Sequence, residues 1–194
     1  AEPENLDVEG LLKGIYLFQQ GPKQRKKVAQ ILASGVGMNW ALKAAKLLES
    51  DWGVSASVWS VTSWNELRRD GLAVDRHNFL NPADQRTAYV AKKLANAEGP
   101  VIAVSDYMRA VQDQIAPWVS QDFTSLGTDG FGLSDTRGAL RRHFKVDAES
   151  IVVATLAELA KAGEVKEAVV QEAIDKYRIF DVRSADAGNT EGSG

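Results

Sequence analysis

Within the segment 127–144, three glycines and two carboxylates are concentrated in the first nine residues, 127–135, and this composition could support phosphate binding. The glycines lie at positions 127, 130 and 132. Each can adopt a positive φ or let the backbone approach another surface closely, and exposed amides in such a loop can bind an anion. Asp129 and Asp135 oppose that use, because their carboxylates would repel an anion and can accept from the same amides. The segment is therefore better interpreted as a structural turn.

The same segment ends in a short predicted helix that carries positive charge. Ser134 or Asp135 can cap its N-terminus by accepting a backbone N–H bond. Residues 141–143, Arg-Arg-His, fall in its last turn, where the helix dipole favours cations. Phe131 stands between two glycines, and an exposed apolar ring on such a loop often inserts into a partner surface.

We predict that this loop, together with two residues from elsewhere in the chain, contacts a neighbouring domain or subunit. The candidate contact residues are Trp64, His77, Thr128, Asp129, Gly130, Phe131, Ser134 and Asp135. Most of the five tryptophans are expected in the core, and exposure of several on one side would indicate a protein interface.

A second glycine pair, Gly35 and Gly37, follows a predicted strand and suggests a dinucleotide-binding turn. The third glycine of a G-x-G-x-x-G pattern would fall at position 40, which holds Trp40, and a large indole opposes the close helix–strand packing that the motif needs. No lysine follows at P-loop spacing. A stand-alone Rossmann-like ligand- or nucleotide-binding module is therefore the alternative hypothesis.

No set of residues forms a convincing catalytic or metal-binding group. His77 and His143 lack sequence partners at metal-ligand spacing, and Ser34 and Ser105 follow strands without a G-x-S-x-G elbow. The absence of cysteine excludes disulfides and thiolate nucleophiles. We therefore predict no catalytic residue and no metal site in this chain, and a self-sufficient hydrolase is poorly supported.

Composition argues against two classes of partner. The 194 residues carry a net charge of −3 with an isoelectric point near 5.5, so no general attraction to nucleic acid or an anionic membrane surface is expected. A solvated loop explains the basic run at residues 23–27 more simply than a phosphate patch. No apolar run approaches the roughly 18 residues of a membrane span.

Two further expectations concern the origin of the chain. The lack of cysteine fits a cytoplasmic protein, and the start without Met suggests a fragment.

Hydrophobic periodicity predicts strands that alternate with helices. Nearly continuous apolar runs indicate strands at 28–33 and 100–105, and an alternating stretch rich in valine and serine indicates one at 54–61. A fourth strand is predicted at 123–126. Helical spacing indicates helices at 6–18, 40–49, 89–95, 107–114, 148–162 and 164–177, with a short one from residue 62 before a turn at 70–71 and a loop at 76–82.

This alternation predicts an α/β fold of three layers, α/β/α, with an open and mostly parallel sheet. The domain is expected to span residues 1–182. Residues 183–194 have no large apolar side chain and are expected to form a flexible tail.

Several segments together resemble the C-terminal domain of the homodimeric pyruvate dehydrogenase E1 component, a transketolase-like thiamine diphosphate enzyme. The resemblance covers nearly the whole chain up to the predicted tail. Its segments lie at residues 10–16, 32–35, 51–54, 58–71, 105–108, 126–132, 140–144 and 146–147. Each segment alone is weak evidence, but the set is specific.

This resemblance implies that the chain is one domain of a larger enzyme that decarboxylates pyruvate with thiamine diphosphate and Mg²⁺. The acetyl unit would then pass to the lipoyl group of the E2 component. The domain is implied to serve assembly and dimer packing, with the other E1 domains, a second E1 subunit and E2 as partners, and to have a mixed sheet edge. The cofactor-binding motifs of the family are absent from this sequence, so the isolated domain is expected to bind no cofactor and to be inactive.

Overall fold

The computed structural model describes residues 6–188, in which helices alternate with the strands of one sheet. The strands are β1 (Ile15–Gln19), β2 (Lys27–Ala33), β3 (Val54–Val61), β4 (Val101–Val104) and β5 (Phe123–Leu126). The helices are α1 (Val8–Lys13), α2 (Gly37–Trp52), α3 (Trp64–Leu80), α4 (Tyr89–Leu94), α5 (Arg109–Asp113), α6 (Arg137–His143), α7 (Ala148–Lys161) and α8 (Glu167–Lys176), with 3₁₀ turns at Ala116–Trp118 and Val182–Gly188. None of the described helices is both long and apolar enough to cross a membrane.

The sheet has the strand order β1-β3-β2-β4-β5. β2 pairs in parallel with β3 on one side and β4 on the other, and β5 continues in parallel beyond β4. Only the edge strand β1 is antiparallel to its neighbour. The predicted three-layer α/β/α class with a mostly parallel sheet and a mixed edge is confirmed.

Apolar side chains fill both faces of the sheet. On one face, α2 and α7 cover Ile31, Val58 and Ile102, and the buried alanines of α2 let that helix lie close to the strands. On the other face, residues from α3 and α4 cover Leu32 and Val101. Because the chain's own helices cover both faces, the core closes without another domain, and the chain can fold on its own.

The predicted helix at residues 6–18 is wrong in its second half. α1 ends at Gly14, which adopts the left-handed conformation with φ of 103°, and the following residues form β1 against β3. Leu12, one of the apolar residues on which the helical spacing depends, is exposed. The apolar spacing in this stretch fits the period of a helix and also that of a strand. The left-handed Gly14 is the feature that ends the helix and separates it from the strand.

The turn at 70–71 and the loop at 76–82 are also wrong, because both lie largely within the 17-residue helix α3. Ser63 caps this helix through Oγ, which accepts from the Glu66 amide at 3.2 Å. Gly71 is there for packing: a Cβ at this position would lie 2.4 Å from the Trp118 ring. The glycine indicates a close contact with a distant residue instead of a turn.

The ordered chain extends past the predicted domain boundary at residue 182. Val182–Gly188 forms a 3₁₀ helix, in which Ala185 is buried and the Ser184 hydroxyl accepts from Arg142 Nη1 at 2.9 Å. The prediction of a flexible tail therefore fails for residues 183–188. Its remaining part, 189–194, lies outside the described residues.

Gly71→Val is expected to destabilise the chain by about 1–3 kcal/mol, because the added side chain must displace the Trp118 ring or α3. Gly132→Val is the matched control, since a Cβ at position 132 meets no atom within 4 Å. Urea denaturation followed by circular dichroism measures both variants. Parent-like stability of Gly71→Val would contradict the close contact.

Candidate interface at the carboxyl edge of the sheet

The loops that follow β2, β4 and β5 leave the sheet at the same edge, because these strands are parallel. The chain connections diverge between β2 and β4, and in open α/β sheets ligands bind outside the carboxyl ends of strands at such a point. We call the surface formed by residues 34–36, 105–108 and 127–133 the carboxyl-edge surface.

The base of the glycine-rich loop is fixed to the loop after β4. Thr128 donates from its amide to the Tyr107 carbonyl at 2.9 Å and from Oγ1 to the Asp106 carbonyl at 2.6 Å. A Cβ at Gly127 would lie 2.5 Å from the Tyr107 carbonyl oxygen. Glycine is therefore required at position 127 by the close approach of two backbones.

Asp129 caps a helix that lies elsewhere in the sequence. Its Oδ1 accepts from the Arg109 amide at 2.9 Å, at the N-terminus of α5. The capping position of α5 is Met108, which supplies no side-chain bond. The Asp129 carboxylate therefore satisfies an amide that would otherwise lack a partner, and it favours the helix dipole.

Beyond Asp129 the loop extends into solvent. Gly130 has a φ of 94°, and a Cβ at Gly130 or at Gly132 would meet no atom within 4 Å. The Phe131 side chain between them is 95% exposed. Four more apolar residues of the carboxyl-edge surface are over half exposed: Val36, Tyr107, Met108 and Leu133. Such a concentration of exposed apolar groups on one edge is typical of an interface.

The cap of α6 is one residue later than either predicted candidate. Thr136 Oγ1 accepts from the Ala139 amide at 3.3 Å, and this bond closes the first turn of α6. Asp135 accepts instead from the Thr136 amide at 2.7 Å, which shapes the approach to the helix. Ser134 is exposed. The prediction that Ser134 or Asp135 caps this helix is therefore wrong.

The expected cationic cluster at the end of α6 divides into two environments. Arg142 is buried and pairs through Nε with Asp147, while Nη1 donates to the Tyr177 carbonyl at 2.9 Å. Arg141 lies with its guanidinium carbon 4.4 Å from the Trp40 ring centroid. Burial lowers the pKa of Arg141, and the neighbouring Arg137 charge acts in the same direction.

A cavity of about 220 Å³ adjoins the Arg141–Trp40 pair. Its walls are mainly apolar and come from α2, α6 and the loops of the carboxyl edge. They include Val36, Trp40, Leu140, Phe144 and Val146. The cavity can receive an apolar side chain from a partner, and the guanidinium at its rim can pair with a carboxylate there.

The nucleotide-binding alternative lacks free amide donors at this edge. The first amides of α2 already donate to the preceding turn: Gly37 to the Ser34 carbonyl at 3.0 Å and Met38 to the Gly35 carbonyl at 3.2 Å. The Asp106 carboxylate lies 3.6 Å from the position of a Cβ at Gly35, where it would repel a phosphate. The geometry does not favour the alternative at the glycine pair.

Two of the eight predicted contact residues are not exposed on this surface. Trp64 is only 4% exposed and donates from Nε1 to the Ser34 hydroxyl at 3.0 Å, so in the isolated chain it packs beneath the carboxyl-edge surface. His77 lies 13 residues further along α3, about 20 Å from Trp64 along the helix axis. Its Nε2 is 3.0 Å from Asp84 Oδ2, a contact that braces the next loop.

The other six predicted residues are brought together in the glycine-rich loop or its exit. The sequence patterns did not indicate Val36, Tyr107, Met108 and Leu133. A usable signal was the pair of bulky apolar residues at 107–108, soon after the buried strand β4. None of the five tryptophans is exposed, so they do not mark the interface. Across residues 6–188, no group of three or more His, Cys, Asp or Glu could hold a metal ion.

The comparisons of this chain with known proteins agree on one family. The family model of the transketolase-like TK C-terminal domain matches residues 14–147, which is more than half of the chain. The pyruvate dehydrogenase E1 component of Mycolicibacterium smegmatis is 59% identical over 186 residues, covering 95% of this chain and 20% of that protein. The corresponding protein of Escherichia coli K12 is 44% identical over 181 residues, covering 92% of this chain and 20% of that protein. The chain thus spans about a fifth of these relatives.

Solved structures share the fold at low sequence identity. A transketolase from Pichia stipitis in complex with sedoheptulose 7-phosphate aligns with a TM-score of 0.54 and 23% identity, over 82% of this chain and 20% of that one. A split-gene transketolase described as an inactive β4 tetramer aligns with a TM-score of 0.53 and 20% identity, over 76% of this chain and 43% of that one. These likenesses support the transketolase C-terminal type of fold.

Glu149→Gln is expected to reduce the fall in the free energy of unfolding as the pH is lowered. Burial raises the pKa of Glu149, but the Lys43 hydrogen bond at 2.8 Å and the Arg142 charge outweigh it, so the pKa is lowered overall. A carboxylate whose pKa is lower in the folded state stabilises the fold at pH values above its unfolded-state pKa. This stabilisation is lost as the pH falls through the folded-state pKa. The parent should therefore lose more stability than Glu149→Gln between about pH 5 and pH 3.

Urea denaturation across this pH range measures the difference. Glu167→Gln, at an exposed position of α8, is the matched control and should follow the parent. Identical pH slopes for parent and Glu149→Gln would contradict the buried charge network around Glu149.

Proposed function

The chain belongs to the transketolase-like C-terminal domain family, and from this premise we propose that it is the C-terminal assembly domain of a pyruvate dehydrogenase E1 component. The observation that carries the proposal is the carboxyl-edge surface. The place where an α/β sheet commonly binds a ligand has its helix amides satisfied and exposes Phe131 and its apolar neighbours instead. High identity to E1 components across most of this chain supports the same role.

The complete enzyme would carry out thiamine diphosphate-dependent oxidative decarboxylation of pyruvate and reductive acetylation of the lipoyl groups of E2. The transketolase-like family depends on thiamine diphosphate, which supports this part of the proposal. Mg²⁺ as the accompanying metal, a homodimeric enzyme, a cytoplasmic location and the E2 component as partner are further parts of the proposal. Nucleic acid and membrane are not among the proposed partners.

The residues described here do not fit a site for Mg²⁺ and a diphosphate. Mg²⁺ needs several oxygen ligands, and residues 6–188 contain no suitable cluster of acidic residues. At the carboxyl edge, Asp129 is used as a cap and the adjoining cavity is mainly apolar. We therefore place the cofactor in other domains of the enzyme and assign no catalytic residue to this chain.

In this proposal the carboxyl-edge surface packs against another E1 domain or a second E1 subunit. Burial of an aromatic ring such as Phe131 contributes about 1.5–3 kcal/mol. Thr128 and Asp129 hold the base of the loop in place, so less conformational entropy is lost when the loop docks. A fixed base with an exposed apolar tip suits a contact that forms on assembly.

Calorimetric titration of the 194-residue chain with thiamine diphosphate and Mg²⁺ is expected to show no metal-dependent binding. The reason is the lack of a suitable ligand set in the described residues. The intact Mycolicibacterium smegmatis enzyme is the positive control. Binding that requires Mg²⁺ and persists in excess inorganic phosphate would contradict an assembly role without cofactor contact.

A chimera tests the role in assembly. We expect pyruvate decarboxylation at a rate close to the parent's when this chain replaces the matching fifth of the Mycolicibacterium smegmatis enzyme. In that chimera, Phe131→Ser should weaken dimer association about tenfold or more, measured by sedimentation, because about 1.4 kcal/mol or more of apolar burial is lost.

The control is Phe180→Ser, which removes a ring that is 72% exposed and lies outside the carboxyl-edge surface. It should leave dimer association unchanged. The interface role would be refuted if Phe131→Ser left both the dimer affinity and the melting temperature of the chimera at the parent's values, or if it lowered the melting temperature of the isolated 194-residue chain as much as that of the chimera.

A further inference from the structure

We propose that a cavity at the opposite, amino edge of the sheet binds a small molecule that carries a phosphate group. The cavity has a volume of about 340 Å³ and lies between the loop joining β1 to β2 and the segment after α4. Its polar lining includes Lys23, Arg25, Gln30, Ser55 and Ser57.

The floor of the cavity is polar where the sheet interior is otherwise apolar. Ser55 and Ser57 alternate along β3 and so face the same side of the sheet, and Gln30 of β2 stands in register with Ser57. All three side chains are only 5% exposed. Buried polar groups are costly unless they find partners, so their concentration here requires an explanation.

The two serine hydroxyls have hydrogens available for a ligand. Ser57 Oγ accepts from the Gly21 amide and from Gln20 Nε2, both at 3.0 Å, and these bonds leave its own proton unused. Ser55 Oγ forms no hydrogen bond with any residue between 6 and 188 and points toward the β1–β2 loop, 2.4 Å from the position of a Cβ at Gly21.

Gln30 already has both ends of its amide occupied. Its Oε1 accepts from Trp59 Nε1 at 2.8 Å, and its Nε2 donates to the Glu98 carbonyl at 2.8 Å. The second Nε2 hydrogen remains free to donate, while Oε1 keeps one lone pair. Together with the Ser55 and Ser57 hydroxyl protons, it gives the floor three hydrogens for donation, which favours a ligand rich in acceptor oxygens.

The charges around the cavity favour an anion. Lys23 and Arg25 line it and form no ion pair with any of the described residues. Lys93 also lines the cavity, but its Nζ lies 2.5 Å from Asp7 Oδ2, so its charge is compensated. Glu98 is the single carboxylate in the lining, which leaves the two free cations in excess.

Phosphate fits this combination better than a carboxylate. Its oxygens can accept from a guanidinium, an ammonium and two hydroxyls at the same time. A cavity of about 340 Å³ also has room for a small organic body beside the phosphate, next to the Leu17 and Trp59 side chains that form its apolar part. The chemical class is therefore a small phosphate monoester.

The test is a titration of the 194-residue chain with inorganic phosphate at constant ionic strength, followed by NMR. The Trp59 indole N–H signal should shift and saturate, since its acceptor Gln30 forms the cavity floor. The Trp118 indole, which donates to Asp75, should not move. Glycerol 3-phosphate should bind more tightly than inorganic phosphate, and equal or weaker binding would overturn the monoester assignment.

Variants separate a built site from general charge attraction. Arg25→Gln should weaken phosphate binding about tenfold or more, and Ser55→Ala several-fold. Lys26→Gln removes the same charge from the same loop but lines a different hollow, so it should bind as the parent does. The proposal would be overturned by the lack of a saturable Trp59 shift in the parent, or by equal losses for Lys26→Gln and Arg25→Gln.

Discussion

Arg142 is almost fully buried, and its guanidinium joins α6 to three other parts of the chain. It pairs with Asp147 at the start of α7, and it donates to the Tyr177 carbonyl after α8 and to the Ser184 hydroxyl in the last 3₁₀ turn. Loss of one partner from such a buried pair costs about 3–5 kcal/mol, because the remaining charge stays buried without compensation. The position of α6, and with it the exit of the glycine-rich loop, depends on this one side chain.

This constraint explains how an exposed loop can hold a defined shape. The loop is fixed at its start by Thr128 and Asp129 and at its end by the capped helix α6. Only the residues around Phe131 are free of contacts with the rest of the domain. The two edges of the sheet then differ in chemistry: apolar groups dominate the carboxyl edge, whereas hydroxyls with unused protons and the cations Lys23 and Arg25 dominate the amino edge.

Local patterns in the sequence were sufficient for much of the fold. Continuous apolar runs identified β2 and β4, because strands of a parallel sheet are buried on both faces, and an alternating pattern identified β3. β1 was missed because the spacing of its residues also fitted a helix. Gly71 suggested a turn, yet it is explained by Trp118, 47 residues away, which no local pattern could show.

In the candidate site, too, features set by local sequence could be predicted and features set by contacts between distant segments could not. The loop and its exposed Phe131 could be predicted from glycines around an aromatic residue, whereas the burial of Trp64 could not, because a buried indole and a surface indole look alike in sequence. The cap that Asp129 provides to α5, and the burial of Arg142, depend on contacts between segments that only the fold brings together.

We propose that the tip of this loop becomes buried when the domain joins the rest of an E1 enzyme. Hydrogen–deuterium exchange of the amides at residues 130–133 measures this burial in the 194-residue chain and in the same chain within an assembled enzyme. We expect fast exchange in the isolated chain and clear protection after assembly. Equally fast exchange in both would contradict it.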